Sequence, residues 1–258
     1  SANSINWGRL LPQIVYYYWA YMQAVKQGNL EPGKPMNVVV PTGNFGNILA
    51  AYYAKVMGLP IGQLICASNK NNVLTDFFNH GVYDTSREFF LTVSPSMDIL
   101  ISSNLERFLY EASGRDSEKI SNWMKDLSRN GRFEVDSDTL KYCKSVIKAN
   151  WADERDVLKV IGEFYKKHAY VLDPHTAVAV KVYQDYVNST GDKTYTVIAS
   201  TASPFKFASS VLQGIKEQAE PIDEWEALNI LASISGWDIP TGLRNLTEKP
   251  EFHHSVIN

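Results

Sequence analysis

Apolar runs separated by polar turns predict alternating strands and helices along this chain. Val38 to Val40 are three β-branched residues that predict a short buried strand, which Pro41 ends. Residues 47–57 place apolar side chains at helical spacing, and further apolar runs at 63–67 and 194–199 predict two more strands. Strands joined by a helix of this length pair in parallel. We therefore expect an α/β fold, with a mostly parallel sheet and helices on both faces.

Helical periodicity predicts the other elements. The longest helix, from Trp7 to Gln27, is apolar on nearly every side, which is typical of a helix buried between layers. Residues 115–168 alternate charged and apolar positions and have few glycine turns, so we interpret them as a helical insertion or layer between residues 1–114 and 169–258. Further helices are predicted at Asn72–Gly81, Ile99–Ala112, Glu118–Ser128, Asp138–Lys148, Glu154–His168, Pro174–Val187 and Phe205–Glu217.

Composition narrows the class of protein. A net charge of −3 without a basic block argues against nucleic-acid binding. No apolar stretch approaches the roughly 18 residues of a membrane span, and no secretory signal is present, so we expect a cytoplasmic protein. Cys66 and Cys143 lie far apart without metal-ligand spacing, which predicts buried thiols and no metal site.

The turn after the first strand, from Pro41 to Asn47, is the strongest candidate for chemistry. Two glycines three positions apart open a tight turn that leads directly into a helix. Backbone N–H groups in such a turn converge on an anion, and the positive end of the helix dipole faces it. The spacing alone does not distinguish a phosphate site from an ordinary turn between strand and helix.

Polar clusters also follow the other predicted strands. Residues 68–72 and 200–203 lie where ligands bind in open α/β sheets, which favours contacts with a polar ligand over plain turns. His175 follows a helix-starting Asp173-Pro174 pair and is interpreted as a surface or capping residue. Catalytic triads, paired carboxylates and dinucleotide fingerprints are absent from the sequence. The residues alone therefore predict a site for a phosphorylated small molecule or cofactor.

Several motifs resemble one family. Residues 41–47 (PTGNFGN) resemble the phosphate loop of threonine synthase, a fold type II pyridoxal-phosphate enzyme similar to the tryptophan synthase β-subunit. Ser203-Pro204-Phe205 departs from the His-Pro-Ala form of many relatives, which weakens any role for that residue. The other similar segments, in the family's order, are 3–9 (NSINWGR), 66–72 (CASNKNN), 94–99 (SPSMDI), 173–177 (DPHTA) and 200–207 (STASPFKF).

The resemblance implies an activity and a set of binding residues. Threonine synthase converts O-phospho-L-homoserine and water to L-threonine and phosphate with pyridoxal 5'-phosphate. Thr201, with Ser200 as a second candidate, would hydrogen-bond the pyridine nitrogen. Asn6 and Arg9 have alternative roles, as a helix cap and as a surface residue. The cofactor phosphate is assigned to the backbone amides of Gly43, Asn44, Phe45, Gly46 and Asn47, and the substrate phosphate to Ser4, Asn6 and Arg9.

The resemblance places the Schiff-base lysine in a segment preceding the NSINWGR motif. Lys70 and Lys206 lie inside matching motifs, but neither is assigned that role. We therefore expect a C-terminal portion of a threonine synthase, with an incomplete fold, no catalytic residue of its own and little activity alone. Its partner would be the missing N-terminal segment of the same enzyme.

Two other functions remain open at this point. A different fold type II lyase, such as a threonine or serine dehydratase, would share the fold, although many of these use a phosphate loop richer in glycine than Gly43-Asn44-Phe45-Gly46. A non-catalytic module that binds phosphate ligands would need no lysine. Release of phosphate from phosphohomoserine separates the threonine synthase from both.

Overall fold

The computed structural model describes residues 5–217 and 222–250, which form ten α-helices and six β-strands. No helix in these ranges is long and apolar enough to cross a membrane. Short 3₁₀ turns cover Pro95–Met97, Pro204–Phe207 and Leu246–Glu248. The strands are β1 Met36–Pro41, β2 Ile61–Ser68, β3 Val82–Asp84, β4 Arg132–Glu134, β5 Ile147–Trp151 and β6 Thr196–Ile198. The helices are α1 Trp7–Lys26, α2 Gly46–Val56, α3 Val73–His80, α4 Leu105–Ala112, α5 Ser117–Asn130, α6 Ser137–Val146, α7 Glu154–His168, α8 Pro174–Thr190, α9 Ala208–Lys216 and α10 Glu224–Ser235.

Four of the strands form one parallel sheet in the order β5-β2-β1-β6. Val39 of β1 pairs with Ile65 of β2 on one side and with Ile198 of β6 on the other. Strands β3 and β4 form a separate antiparallel pair. The predicted parallel α/β sheet is therefore confirmed, and all three predicted strands belong to it.

Both faces of the sheet are buried under helices, as predicted. Val38 and Val40 of β1 belong to the core that packs against α1 and α2, whereas Val39 belongs to the opposite core under α8 and α9. Successive side chains of a strand point to opposite faces, so a strand covered on both sides is apolar throughout. This explains the uninterrupted valine run.

The predicted helix from Asp138 to Lys148 is wrong at its end. Helix α6 stops at Val146, and Ile147 already has extended backbone angles (φ −123°, ψ 128°) as it enters β5. Only Ile147 of β5 is buried, so the strand lacks an apolar run that a sequence pattern could show. Residues 115–168 thus contribute an edge strand as well as helices, while the division at 1–114, 115–168 and 169–258 stays a prediction.

The predicted helix from Ile99 to Ala112 is also too long, since α4 begins only at Leu105. Ser102 and Asn104 instead direct their side chains to the backbone of the turn after β1: Ser102 Oγ donates to Gly43 O at 2.7 Å, and Asn104 Nδ2 donates to Asn44 O at 2.9 Å. Short polar side chains that bond backbone groups elsewhere compete with a regular helix.

Helix α1 follows its predicted bounds, but its predicted burial on all sides is wrong. Leu10, Ile14, Tyr17 and Tyr21 are buried, whereas the opposite side exposes large apolar residues. We call this set the α1 apolar face: Leu11, Val15, Tyr16, Trp19 and Met22. An apolar surface of this kind marks an interaction site more often than an ordinary surface.

Candidate functional site

A cavity of about 630 Å³ lies at the carboxyl end of β1, within the range typical of small-molecule sites. Strand β1 and its following turn form one wall. Ala202 and Thr201, which follow β6, form another, and α1 contributes Arg9 and Gln13. The lining residues are Arg9, Gln13, residues 40–48, Ser96, Met97, His175, Thr201, Ala202 and Lys206.

The turn from Gly43 to Asn47, which we call the cradle, presents unpaired backbone donors. Phe45 has a left-handed conformation (φ 63°) and α2 begins at the next residue. Leu49 N is the first amide of this segment that bonds to the preceding turn, 3.0 Å from Phe45 O. In the described part of the chain, the amide groups of residues 43–48 have no acceptor. They can therefore bind an anion at the positive end of α2.

Side chains outside the cavity hold the cradle in this shape. The Phe45 ring is buried and packs against Phe78 and Phe108, with ring centroids 5.8 and 5.7 Å away. The bonds from Ser102 and Asn104 bind the carbonyl oxygens of Gly43 and Asn44 from outside the cavity. The carbonyl oxygens of Gly43 and Asn44 therefore already accept hydrogen bonds, whereas the amide N–H groups of the cradle have no acceptor among the described residues.

Tyr17 of α1 connects the long helix to the cradle. Its hydroxyl donates to Asn47 Oδ1 and lies 3.3 Å from Asn47 O. Burial raises the pKa of the Tyr17 phenol above its usual range, so the hydroxyl keeps its proton and remains a donor. Tyr17, a buried residue of α1, therefore also orients a cradle side chain.

His175 is buried, and the prediction of a surface residue is wrong. Its Nδ1 lies 3.1 Å from Asp173 Oδ1, and its Nε2 accepts a hydrogen bond from Ser96 N at 3.1 Å. A neutral ring with its proton on Nδ1 satisfies both contacts. Both nitrogens are then occupied, so His175 is better suited to holding the loop at Ser96 than to accepting a proton.

The loop at Ser96 in turn explains the glycine at position 43. A Cβ atom there would lie 3.0 Å from Ser96 O and 3.3 Å from Met97 Cα. The sequence predicts a tight turn at the two glycines, and the structure adds a further reason for Gly43, which is the close approach of another loop. Residues 94–99, which the resemblance included without a role, therefore form part of the wall beside the cradle.

The two candidate hydroxyls after β6 differ in their surroundings. Thr201 is exposed and lines the cavity, and its hydroxyl has no hydrogen-bond partner among the described residues. Ser200 Oγ lies 3.4 Å from Thr176 Oγ1, a hydroxyl that also donates to Asp173. This arrangement leaves Thr201 as the hydroxyl available to a ligand in the cavity.

The candidate residues for the substrate phosphate are not all brought together. Arg9 lines the cavity. Asn6 does not line it and caps α1, with its Oδ1 accepting from Gly8 N at 2.9 Å. Ser4 lies outside the described residues. Sequence reasoning missed Gln13, Ser96, Met97 and Ala202 as lining residues, because only the folded chain brings these segments together.

The polar cluster at residues 68–72 does not line the cavity. Asn69 Nδ2 and Asn71 Nδ2 donate to Asp98 Oδ1 at 2.7 and 3.0 Å, and both asparagines are buried. Asn72 Oδ1 accepts from Arg87 at 2.9 Å. Asn69 and Asn71 therefore hold the loop that carries Ser96. The sequence favoured contacts with a ligand for this cluster, but its residues do not reach the cavity.

The charge of the cavity lining suits an anion. Arg9 and Lys206 are cationic, and no carboxylate is among the lining residues. No group of three or more His, Cys, Asp or Glu residues in the described ranges is placed to hold a metal ion. The cavity therefore combines a cradle of amide donors, the Thr201 hydroxyl and two cationic side chains.

Comparison with known proteins agrees with this geometry. The family described as "Threonine synthase, C-terminal" matches residues 176–256. Threonine synthase of Saccharomyces cerevisiae is 41% identical over 226 residues. The chain is a homologue of the threonine synthases. "Threonine synthase-like 1" of Homo sapiens is 48% identical over 218 residues.

The structural comparison establishes the fold type. The PLP-bound threonine synthase of Brucella melitensis superposes with a TM-score of 0.77 at 37% identity, over 92% of this chain. The fold is thus that of fold type II pyridoxal-phosphate enzymes, as the motifs implied. The chain spans 29% of the human relative, 43% of the yeast threonine synthase and 48% of the Brucella chain.

Proposed function

We propose that this chain carries the cofactor site and part of the substrate site of a pyridoxal-phosphate-dependent threonine synthase, which converts O-phospho-L-homoserine and water to L-threonine and phosphate. The observation that carries the proposal is the cradle: free amide groups of residues 43–48 face a cavity of about 630 Å³ with a free hydroxyl at Thr201. A phosphorylated pyridine needs these two kinds of contact. The homology to threonine synthases supports this choice among phosphate ligands.

The residues present fit the cofactor. Amides of Gly43 to Asn47 would hold its phosphate, and the packed Phe45 ring and the bonds from Ser102 and Asn104 keep these donors in place. Thr201 would donate a hydrogen bond from its hydroxyl to the pyridine nitrogen. Pyridoxal phosphate, when bound, supplies an electron sink for a carbanion at the substrate amino acid.

The remaining residues of the cavity would bind and orient the substrate. Arg9 of α1 lines the cavity, and its guanidinium can bind a phosphate in bidentate geometry. Asn6 stabilises the start of the helix that carries Arg9. Its contribution would therefore be to position the guanidinium, while Ser4 remains a proposed contact.

We also propose that the lysine that binds the cofactor comes from a further α/β segment beside β6. Strand β6 has β1 as its single neighbour among the described strands. Apolar residues flank this free edge on both sides: Tyr16 and Ala20 of α1 with Val197, and Tyr170 and Tyr183 with Ile198. A strand added next to β6 would bury both sets. The chain alone would then be inactive, and the segment would be its partner.

The proposed cofactor site is tested by titrating the chain with pyridoxal phosphate and comparing it with Gly43→Ala. We expect saturable binding that the substitution weakens, because the added Cβ meets Ser96 O at 3.0 Å. Gly242→Ala is the matched control, since a Cβ there meets nothing within 4 Å. Absence of saturable binding in the unaltered chain would contradict the proposal.

The origin of the lysine is tested separately, by borohydride reduction of the same mixture and peptide mapping. We expect no stoichiometric pyridoxyl-lysine in this chain. A single adduct at one defined lysine would overturn the proposal of a further segment, while leaving the cradle intact. Release of threonine and phosphate at an enzyme-like rate by the chain alone would have the same meaning.

A further inference from the structure

Two cationic side chains from separate segments of the chain line the cavity. Arg9 projects from α1, and Lys206 belongs to the 3₁₀ turn Pro204–Phe207 that follows β6. Among the residues that the structure describes, no carboxylate lines the cavity, although the chain as a whole has a net charge of −3. The cavity is therefore a local region of positive potential on a negative protein, and such a region concentrates anions.

Lys206 has no ion-pair partner within residues 5–217 and 222–250. Among the described residues, no carboxylate forms an ion pair with it, and its side chain is exposed. Its Nζ lies 5.8 Å from the Phe207 ring centroid, and that ring packs against His175 at 4.7 Å. The Phe207 ring therefore lies between the Lys206 ammonium and the buried His175, and the ammonium, which no carboxylate of the described residues pairs with, can also contact a ligand.

The cradle itself supplies no full positive charge. Residues 41–48 include no lysine, arginine or histidine, so the cradle offers only the partial charges of amide groups and of the α2 dipole. A phosphate monoester carries a charge of about −1.5 to −2 near neutral pH. A lysine ammonium is a mobile point charge with three donors, which suits it to a phosphate that also binds backbone amides.

We propose that Lys206 is a second cationic contact, beside Arg9, for a phosphate monoester dianion bound in the cavity. The proposal rests on the proposed function, which supplies two such groups, one on the cofactor and one on the substrate. Their chemistry is the same, and Lys206 makes the cavity select a phosphorylated compound over its dephosphorylated form. This gives a role to a residue that the family resemblance left without one.

The test compares phosphorylated and unphosphorylated ligands by isothermal titration calorimetry of the full chain. Pyridoxine 5'-phosphate and pyridoxine represent the cofactor without its reactive aldehyde, and O-phospho-L-homoserine and L-homoserine represent the substrate. In Lys206→Met, we expect roughly tenfold weaker binding of a phosphorylated ligand, as for the loss of one charge-assisted contact. Binding of the unphosphorylated ligands is expected to stay as it is.

Two further variants separate charge from packing. Lys206→Arg restores the charge and is expected to recover most of the affinity. Lys216→Met removes an exposed lysine from the end of α9, away from the cavity, and is expected to bind like the unaltered chain. If Lys206→Met loses affinity only for pyridoxine 5'-phosphate, Lys206 contacts the cofactor phosphate. If it loses affinity only for O-phospho-L-homoserine, Lys206 contacts the substrate phosphate.

Three outcomes overturn the inference. Equal binding of both phosphorylated ligands by Lys206→Met and the unaltered chain contradicts it while the proposed function stands. Equal weakening of phosphorylated and unphosphorylated ligands shows that Lys206 acts through packing. An unaltered chain that binds neither phosphorylated ligand contradicts the proposed function and the inference together, and this result is distinguishable from the other two.

Discussion

At the scale of single residues, Asp192 connects the two strands that form the site. It lies between α8 and β6, and its carboxylate accepts hydrogen bonds from Asn37 Nδ2 at 2.8 Å, Tyr186 Oη at 2.7 Å and Thr194 N at 2.9 Å. Asn37 belongs to β1, so this residue fastens the start of β1 to the loop that leads into β6. Hydrogen bonds from Thr194, and then from Tyr186 and Asn37, hold the pKa of Asp192 below its usual value of 3.8.

A lowered pKa makes this contribution to stability depend on pH. The ionised carboxylate is favoured in the folded chain, so its contribution is complete above about pH 4 and is lost as the pH falls further, toward the folded pKa. We expect Asp192→Asn to cost about 1 kcal/mol at pH 7, after allowance for solvent screening, and less at pH 3. Urea unfolding of both proteins at the two pH values measures this, and an equal cost at both would contradict it.

At the scale of elements, the Asp98 carboxylate is one of the groups that hold the loop from Phe90 to Asp98. Asp98 Oδ1 accepts from Asn69, Asn71 and Thr92 Oγ1, and Oδ2 accepts from Thr92 N at 2.8 Å. This loop carries Ser96, which closes on Gly43 of the cradle. A network of buried donors around one acceptor fixes a loop more firmly than its backbone alone could.

We expect Asp98→Asn to destabilise the chain by about 2 to 4 kcal/mol, because an amide group would face donors that are left unsatisfied. The affinity for the cofactor phosphate is expected to fall as well, since the wall beside Gly43 loosens. Asp126→Asn on the exposed side of α5 is the control and should change neither quantity. A loss of stability without any loss of affinity would show that the loop does not support the cradle.

The elements also show which parts of the fold a sequence can predict. Strand β1 and helix α2 were predictable because burial on both faces leaves β1 wholly apolar, and because Gly43 and Gly46 mark the turn between them. Strand β5 was not, since it is a largely exposed edge strand that continues directly from α6. The burial of His175 and the contact of Ser96 with Gly43 depend on segments about 50 to 80 positions apart, which no local pattern contains.

The same distinction applies to the site: residues that are contiguous in the sequence could be predicted, whereas contacts between distant segments could not. The cradle is contiguous in the sequence, and its geometry could be anticipated from it. Thr201, Arg9 and Lys206 come from elements at the two ends of the chain, and only the motifs indicated the first two. Asn69 and Asn71 were predicted to contact a ligand because they follow a strand end. Residues that bind ligands and residues that hold loops both occur at such positions, and these two bind Asp98.

At the scale of the whole molecule, the α1 apolar face and the free edge of β6 lie side by side. Trp19 and Val15 are each 62% exposed, and Tyr16 reaches the space beside Val197 of β6. An unpaired edge next to apolar surface is a common route to association between chains. This exposed apolar surface and strand edge therefore lie on the side where we propose that a further segment packs.

We expect the chain alone to associate with itself through this region. Trp19→Lys should shift the mass measured by light scattering toward the monomer at a given concentration, with little loss of stability because the side chain is exposed. Leu91→Lys is the matched control, because Leu91 is 83% exposed and lies in a loop outside α1. Concentration-independent monomers of the unaltered chain, or an equal effect of both variants, would contradict the expectation.

The cradle has a consequence for how this site tolerates change over time. Its donors are peptide N–H groups, which every amino acid except proline supplies, so a substitution at Asn44 by any residue other than proline keeps all the amide donors that we propose for the phosphate. Natural variation in the cradle can therefore accumulate at such positions without loss of the ligand, whereas Gly43 is fixed by the loop that touches it. A lineage that lost the reaction could keep the binding site for a long time.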